Sequence, residues 1–289
     1  MPRYRLTIEY DGGGFVGWQR QDNGPSVQAA LEDSAFRFCG VRPTIVGAGR
    51  TDAGVHALGQ VAHVDLDRAF PATTVRDAMN FHLKPALVVV RAADAVGDGF
   101  HARFSAVGRH YRYRILNRPS PPALARGRVW WIPIPLDVDA MRDAARALLG
   151  RHDFSAFRAA LCQARSPVKT LDRLDIRQAG DEILIEAHAR SFLHNQVRII
   201  AGTLKRVGEA KMTRADVAAA LASGDRSKAG QTARPEGLYL VSVTYPPEAQ
   251  DAAPLPGSVE GARDLADDQA QHDVDDDNAG GGQRRDGQR

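Results

Sequence analysis

Asp52 lies in GAGRTDAGVHA (residues 47–57), bounded by Gly47, Gly49 and Gly54 and preceded two places earlier by Arg50. Glycine at such positions permits positive φ and the close approach of a bulky ligand. A carboxylate on such a loop can form an Asx turn, ligate a metal, transfer a proton or act as a nucleophile. The neighbouring letters narrow this. An aspartic protease needs two Asp-Thr/Ser-Gly copies that share a proton, whereas this loop holds one Asp-Ala-Gly. The glycine spacing lacks the Lys-Ser/Thr of a P-loop and the G-x-G-x-x-G of a dinucleotide fold. His56 and His63 are seven apart across a turn and a strand, which is not metal-ligand spacing, and both read as structural. For an arbitrary aspartate the turn role is the commonest, so spacing alone leaves turn, acid/base and nucleophile open.

The elements that must position this loop follow from periodicity. Residues 3–10 put Leu6, Ile8 and Tyr10 on one face and Arg5, Thr7 and Glu9 on the other, as a half-buried strand does. The stretch DGGGFVGWQRQDNGP is so rich in glycine that it reads as a flexible loop. From Ser26, a candidate N-cap, Val27, Ala30, Leu31, Ala35 and Phe38 recur at helical spacing. Strands are expected at 43–47, 60–66, 87–92 and 109–117, with a second helix near 73–82. Residues 118–136 carry five prolines and no clean period, and read as a connector between halves. Beyond it come a helix at 139–149 closed by Gly150, a hairpin of 170–178 with 182–189, and a long helix at about 192–207 ended by Gly208. A helix from the Thr213 cap to Gly224 and a closing strand in GLYLVSVTYP complete the body. Strands joined through hairpins and mixed with helices argue an α+β fold with mostly antiparallel sheet.

Composition sets the outer bounds. A chain of 289 residues, 43% hydrophobic, can fill a real core. Neither a secretory-type apolar run nor a stretch of roughly 20 apolar residues occurs, so a cytoplasmic location and no membrane association are expected. Cys39 and Cys162 have no metal-like spacing and read as buried small hydrophobes. The net charge of +3 conceals an asymmetry: residues 247–289 hold eleven Asp/Glu against four Arg, leaving +10 on residues 1–246. That acidic, Gly-rich tail has too little apolar surface to offset the entropy of ordering and is expected to be disordered. A basic body is compatible with a polyanionic partner, nucleic acid first among them, and equally with an ordinary solvated surface.

The string GRTDAGVHALGQVAHV resembles, together with YDGGGFVGWQRQ, FHARFSAVGRHYRYRI, HDFSAFR, SFLHNQVRIIAGTL and EGLYLVSVTYP, the bacterial tRNA pseudouridine synthase A family, in its order and spacing over nearly all of residues 3–246. The resemblance implies a two-lobed pseudouridine synthase fold, with helices flanking a mostly antiparallel sheet and a central active-site cleft. The connector read at 118–136 divides the chain into an N-terminal half at 1–117, which by the resemblance carries the catalytic loop, and a C-terminal half at 137–246. The resemblance also implies a cofactor-free isomerase that acts as a symmetric homodimer on tRNA, converting uridine to pseudouridine at tRNA positions 38, 39 and 40. In that setting Asp52 is the catalytic carboxylate. Arg198, in the helix motif Val197-Arg198, is the guanidinium that would pair with it across the two halves. Tyr111 stacks on the target base and has been considered for deprotonating C5. Arg50 would position or extrude the nucleotide, and Arg103 and Arg158 would contact phosphate or shape the site. A carboxylate of ordinary pKa, roughly 3.9, is anionic at neutral pH, and a nearby guanidinium favours that state.

The chemistry agrees with what the sequence offers. Forming the C-glycoside requires breaking the N1 bond, turning the base, joining C5 to C1′ and removing the C5 proton, with no electrons exchanged and no water added. No metal, redox or nucleotide motif is called for, and none is found. Two other classes make distinct demands. A tRNA-binding module without catalysis predicts loss of Asp52 or Tyr111, both of which are present. A carboxylate hydrolase needs a second acid near Asp52 to activate water, and none stands nearby in the sequence.

Overall fold

A computed structural model of the chain describes residues 1–247. Apart from Pro247, the tail expected to be disordered lies outside the described residues. The alternation in the first ten residues does form a strand, β1 (Arg3–Tyr10), which buries Tyr4, Leu6, Ile8 and Tyr10. Ser26 caps α1 (Val27–Cys39) by accepting from the Ala29 N–H, and Gly40 ends it in the left-handed region at φ 80°. The run expected at 43–47 yields a strand of two residues, β2 (Val46–Gly47). β3 (His56–Asp65), α2 (Ala72–Leu83) and β4 (Val88–Val96) complete the first half up to β5 (Gly108–Asn117).

The connector at 118–136 contains a short strand that periodicity did not reveal, β6 (Trp130–Ile132). Its Trp130 and Ile132 point into the core and only Trp131 is partly exposed, at 37%. The helix expected at 139–149 is α-helical only over α3 (Val138–Ala145) and tightens to a 3-10 turn at 146–148 before Gly150 at φ 93°. β7 (Gly150–Asp153), β8 (Val168–Ala179) and β9 (Glu182–Ala189) follow. The long helix begins four residues later than its apolar period suggests, as α4 (Gln196–Gly208). Gly208 belongs to the helix: a Cβ there would lie 2.9 Å from the Met141 sulfur of α3, so close helix packing explains it better than a stop signal. α5 (Arg214–Ser223) carries a full capping box of Thr213 and Asp216, and β10 (Leu238–Thr244) closes the body. Cys39 and Cys162 are half-buried free thiols, more open than expected.

All ten strands of the described residues form one sheet, with a main path in the order β4-β1-β3-β10-β5-β9-β8-β7, β2 beside β3 and β6 beside β5. Every pairing is antiparallel except β10 with β3 and β6 with β5. β10, last among the described residues, thus lies at the centre, between β3 and β5. One row crosses five strands on the helix-covered face: Tyr10, Ala57, Leu240, Tyr111 and Ala187 are successive partners. Two apolar cores fill that face. One joins β1 and β3 to α1 and α2; the other joins β5, β8 and β9 to α3 and α4. Tyr111 packs against both, at their seam.

Candidate active site at the seam of the two cores

Asp52 is set by backbone pairing with the glycine-rich segment after β1. Gly17 and Asp52 form an isolated antiparallel bridge, and the Trp18 N–H donates to the Thr51 carbonyl at 3.0 Å. Gly17 has φ 117°, and a Cβ there would stand 2.7 Å from the Thr51 oxygen, so both its conformation and its closeness require glycine. The Tyr10 and Thr51 hydroxyls share a hydrogen bond of 2.7 Å, and the Gln60 amide donates to the Gly49 carbonyl at 2.9 Å. The segment that read as a flexible loop is therefore a brace. Gly12 and Gly17 serve close backbone approach, and Trp18 is buried against Gly47.

Arg198 reaches Asp52 from the first turn of α4. Its Nη1 donates to Asp52 Oδ2 at 3.1 Å and to Asn195 Oδ1 at 2.8 Å, while its Nε donates to the Ala233 carbonyl at 2.8 Å. Asn195 sits at the helix N-terminus in the left-handed region, φ 62°, and its side chain serves Arg198 and not the helix end. The Ala233 carbonyl is delivered by a strap that crosses α4 at Gly202, where a Cβ would lie 1.8 Å from the Gln231 oxygen. Thr203 Oγ1 accepts from the Gly230 N–H at 2.8 Å and fixes the same crossing. The other carboxylate oxygen, Oδ1, is 3.2 Å from His194 Nε2. Asp52 remains 30% exposed, so both its oxygens are held while the group stays open to a ligand.

Tyr111 presents its ring edge-on to Phe192, with centroids 5.2 Å apart. Its hydroxyl makes no hydrogen bond among the described residues. Burial pushes the phenol up to about 12; Asp52 adds to the rise and Arg109 opposes it. Tyr111 is thus a neutral phenol at neutral pH, close enough to feel the charge of Asp52. The other expected residues make no hydrogen bond or ion pair to Asp52. Arg50 is exposed on the same loop, and its guanidinium has no partner among the described residues. Arg103 lies over the Phe104 ring at 5.7 Å. Arg158 has no hydrogen bond or ion pair among the described residues, and the next residue, Ala159, donates its N–H to the His194 carbonyl at 3.0 Å.

His56 and His63 are structural, as their spacing suggests. His56 Nδ1 accepts from the Gly12 N–H at 3.0 Å and its ring stacks on Tyr239, while His63 Nδ1 accepts from the Ala102 N–H at 3.2 Å. Burial lowers both, His63 to about 4. Four contributors escaped the sequence reading: His194, Asn195, Ala233 and Arg109. Asn195 carried a usable signal, because asparagine is enriched at positive φ and an Arg follows three places later. Ala233 acts through its carbonyl, which no side-chain pattern reports.

Against this geometry, the sequence compares clearly with known proteins. A family model described as tRNA pseudouridine synthase matches residues 6–105 and 144–246. The chain belongs to that family. The matched segments include Asp52, Arg50, Arg103, Arg158 and Arg198, and Tyr111 falls between them. A tRNA pseudouridine synthase A from Paramagnetospirillum magneticum is 60% identical over 245 residues, covering 85% of this chain and 96% of the relative. Those from Rhodospirillum rubrum and Mesorhizobium japonicum are 58% and 57% identical, covering 88% and 85% of this chain and 91% and 100% of theirs. A solved structure titled "Crystal Structure of a Cbf5-Nop10-Gar1 Complex" aligns with 82% of this chain and 49% of its own at 10% identity and a TM-score of 0.35, too remote to inform the site. Membership makes the chain an enzyme of the isomerase class. No helix among the described residues is long and apolar enough to cross a membrane.

Proposed function

We propose that this protein isomerises uridine to pseudouridine at positions 38, 39 and 40 of the tRNA anticodon stem-loop, with Asp52 as the nucleophile. The observation that carries the reading is the Asp52 carboxylate, held by Arg198 and His194 yet open to a ligand beside Tyr111. Arg198 stabilises the anion and aims it, with its own orientation set by Asn195 and Ala233. Attack at C1′, attack at C6 and elimination through a glycal all begin from this carboxylate. In each the N1–C1′ bond breaks, C5–C1′ forms, C5 loses its hydrogen and N1 ends protonated, so neither electrons nor water are consumed.

Tyr111 stacks on the target base as a neutral ring. Any proton it takes from C5 must go to its phenolate, which the raised pKa keeps scarce at neutral pH. Arg50, unpaired and two residues from Asp52, offsets the cost of taking the nucleotide out of its stack, while Arg103 and Arg158 hold phosphate. Residues 1–117 and 137–246 form the walls of the cleft and 118–136 connects them. The resemblance to the bacterial family supports a cytoplasmic homodimer in which one tRNA contacts both subunits.

The test is pseudouridine mapping on anticodon stem-loop transcripts treated with purified protein. Modification at the three stem-loop positions is expected; modification elsewhere only, or none, refutes the assignment.

A further inference from the structure

Phe104 is 74% exposed, a large aromatic left in the open on a segment that is firmly tied. The His101 N–H donates to Ser105 Oγ at 3.0 Å, and the Ser105 N–H returns a bond to the His101 carbonyl at 2.9 Å. His101 Nδ1 accepts from the N–H groups of both Arg103 and Phe104, at 3.2 Å each. The His101 and Phe104 rings lie 4.4 Å apart at 31°, so imidazole supports one side of the phenyl ring while the Arg103 guanidinium stands 5.7 Å from its centre. An exposed ring normally loses conformational entropy on binding; this one is already placed.

The turn is also registered against the site. Arg109, a half-buried residue near the start of β5, donates from Nη1 to the Arg190 carbonyl at 2.5 Å and from Nη2 to the Ala48 and Arg103 carbonyls at 2.8 and 3.0 Å. One guanidinium thereby joins the loop of Asp52, the loop of His194 and the turn of Phe104. Arg109 has no carboxylate partner among the described residues, so its charge adds to those of Arg103 and Arg190 beside it.

We propose that Phe104, flanked by Arg103 and backed by His101, is a stacking platform for an unpaired nucleobase of the RNA substrate, a second base-binding position beside that of the target uridine. This rests on the RNA-modifying reading above. A π-face with an adjacent guanidinium suits any unstacked base and requires no base-edge code. The platform therefore recognises looped RNA and does not set the sequence.

The experiment places 2-aminopurine at each unpaired position of an anticodon stem-loop in turn and follows its quenching on binding, alongside turnover by Phe104→Ala, Phe104→Leu and Phe104→Trp. The side chain is solvent-facing, so all three variants should fold with unchanged melting. Phe104→Ala and Phe104→Leu are expected to raise KM about tenfold, within the range of one lost stack, with kcat nearly unchanged. Quenching should be lost at one loop position and restored by Phe104→Trp. Unchanged KM and quenching in Phe104→Ala, or full rescue by leucine, overturns the platform while leaving the reaction standing. If the wild-type protein forms no pseudouridine, the reaction fails, and the quenching series alone then decides whether a base docks here.

Discussion

The sheet carries two clusters of the same three chemical groups, one on each face. Asp52 is gripped by Arg198 and His194 on the helix side. On the opposite side Glu186 Oε1 accepts from Arg112 Nε at 2.7 Å and Glu186 Oε2 lies 2.5 Å from His110 Nε2. Glu186 and Arg112 are direct cross-strand partners of β9 and β5, with His110 two residues along, so ordinary strand pairing assembles that cluster. Its carboxylate is only 10% exposed and lies against regular strands. The Asp52 cluster joins residues 146 apart from a loop and a helix, leaves its carboxylate open, and has unpaired arginines around it. A carboxylate held by guanidinium and imidazole is therefore not in itself an active site. Non-local assembly, exposure and uncompensated charge nearby set the Asp52 cluster apart from the Glu186 cluster.

The sharpest way to break this contrast is to remove each carboxylate. Asp52→Asn should lower kcat by roughly 10³-fold or more while tRNA affinity changes little, since an amide keeps the shape but is no nucleophile. Retained turnover would sink the assignment. Glu186→Gln should leave kcat intact and cost about 2 kcal/mol of stability in denaturant titration, the scale of hydrogen bonds to a charged group. The guanidiniums come next. Arg198→Lys cannot serve Asp52, Asn195 and Ala233 at once, and kcat should fall by about 10²-fold. Arg112→Lys should leave kcat unaltered, and equal losses at both positions would erase the distinction.

The smallest effect lies outside both clusters, in the scaffold. His63, buried among Arg3, His101 and Asp65, stays neutral in the folded protein down to about pH 4, whereas the unfolded chain takes up its proton near 6.5. The unfolded state then binds more protons between those values, so stability is full above about 6.5 and falls as pH drops toward 4. His63→Gln should flatten that stretch of the stability profile, and an unchanged slope would assign the acid sensitivity to other groups.

Much of this was legible from local letters. Ser26 and Thr213 announced their helices, and the apolar alternation of β1 and the hairpin of β8 with β9 were plain because each rests on neighbours in sequence. The family strings also pointed to Asp52, Arg198 and Tyr111, which the fold gathers at one place; their roles are proposals. What stayed hidden depends on partners far away. β6 is a strand because β5 lies beside it, and α4 starts at Gln196 because Asn195 turns left-handed to hold Arg198, although Phe192 and Leu193 continue the apolar period. Nothing in the sequence singles out Arg109, since three carbonyls from three loops leave no mark on spacing.

The position of β10 bears on what shortening the chain would do. β10 fills the place between β3 and β5, and without residues 238–244 each of those strands would offer unpaired backbone to another strand. Truncation ahead of Leu238 would remove the partner that β3 and β5 share, and is expected to yield aggregation-prone protein, which solubility on expression checks.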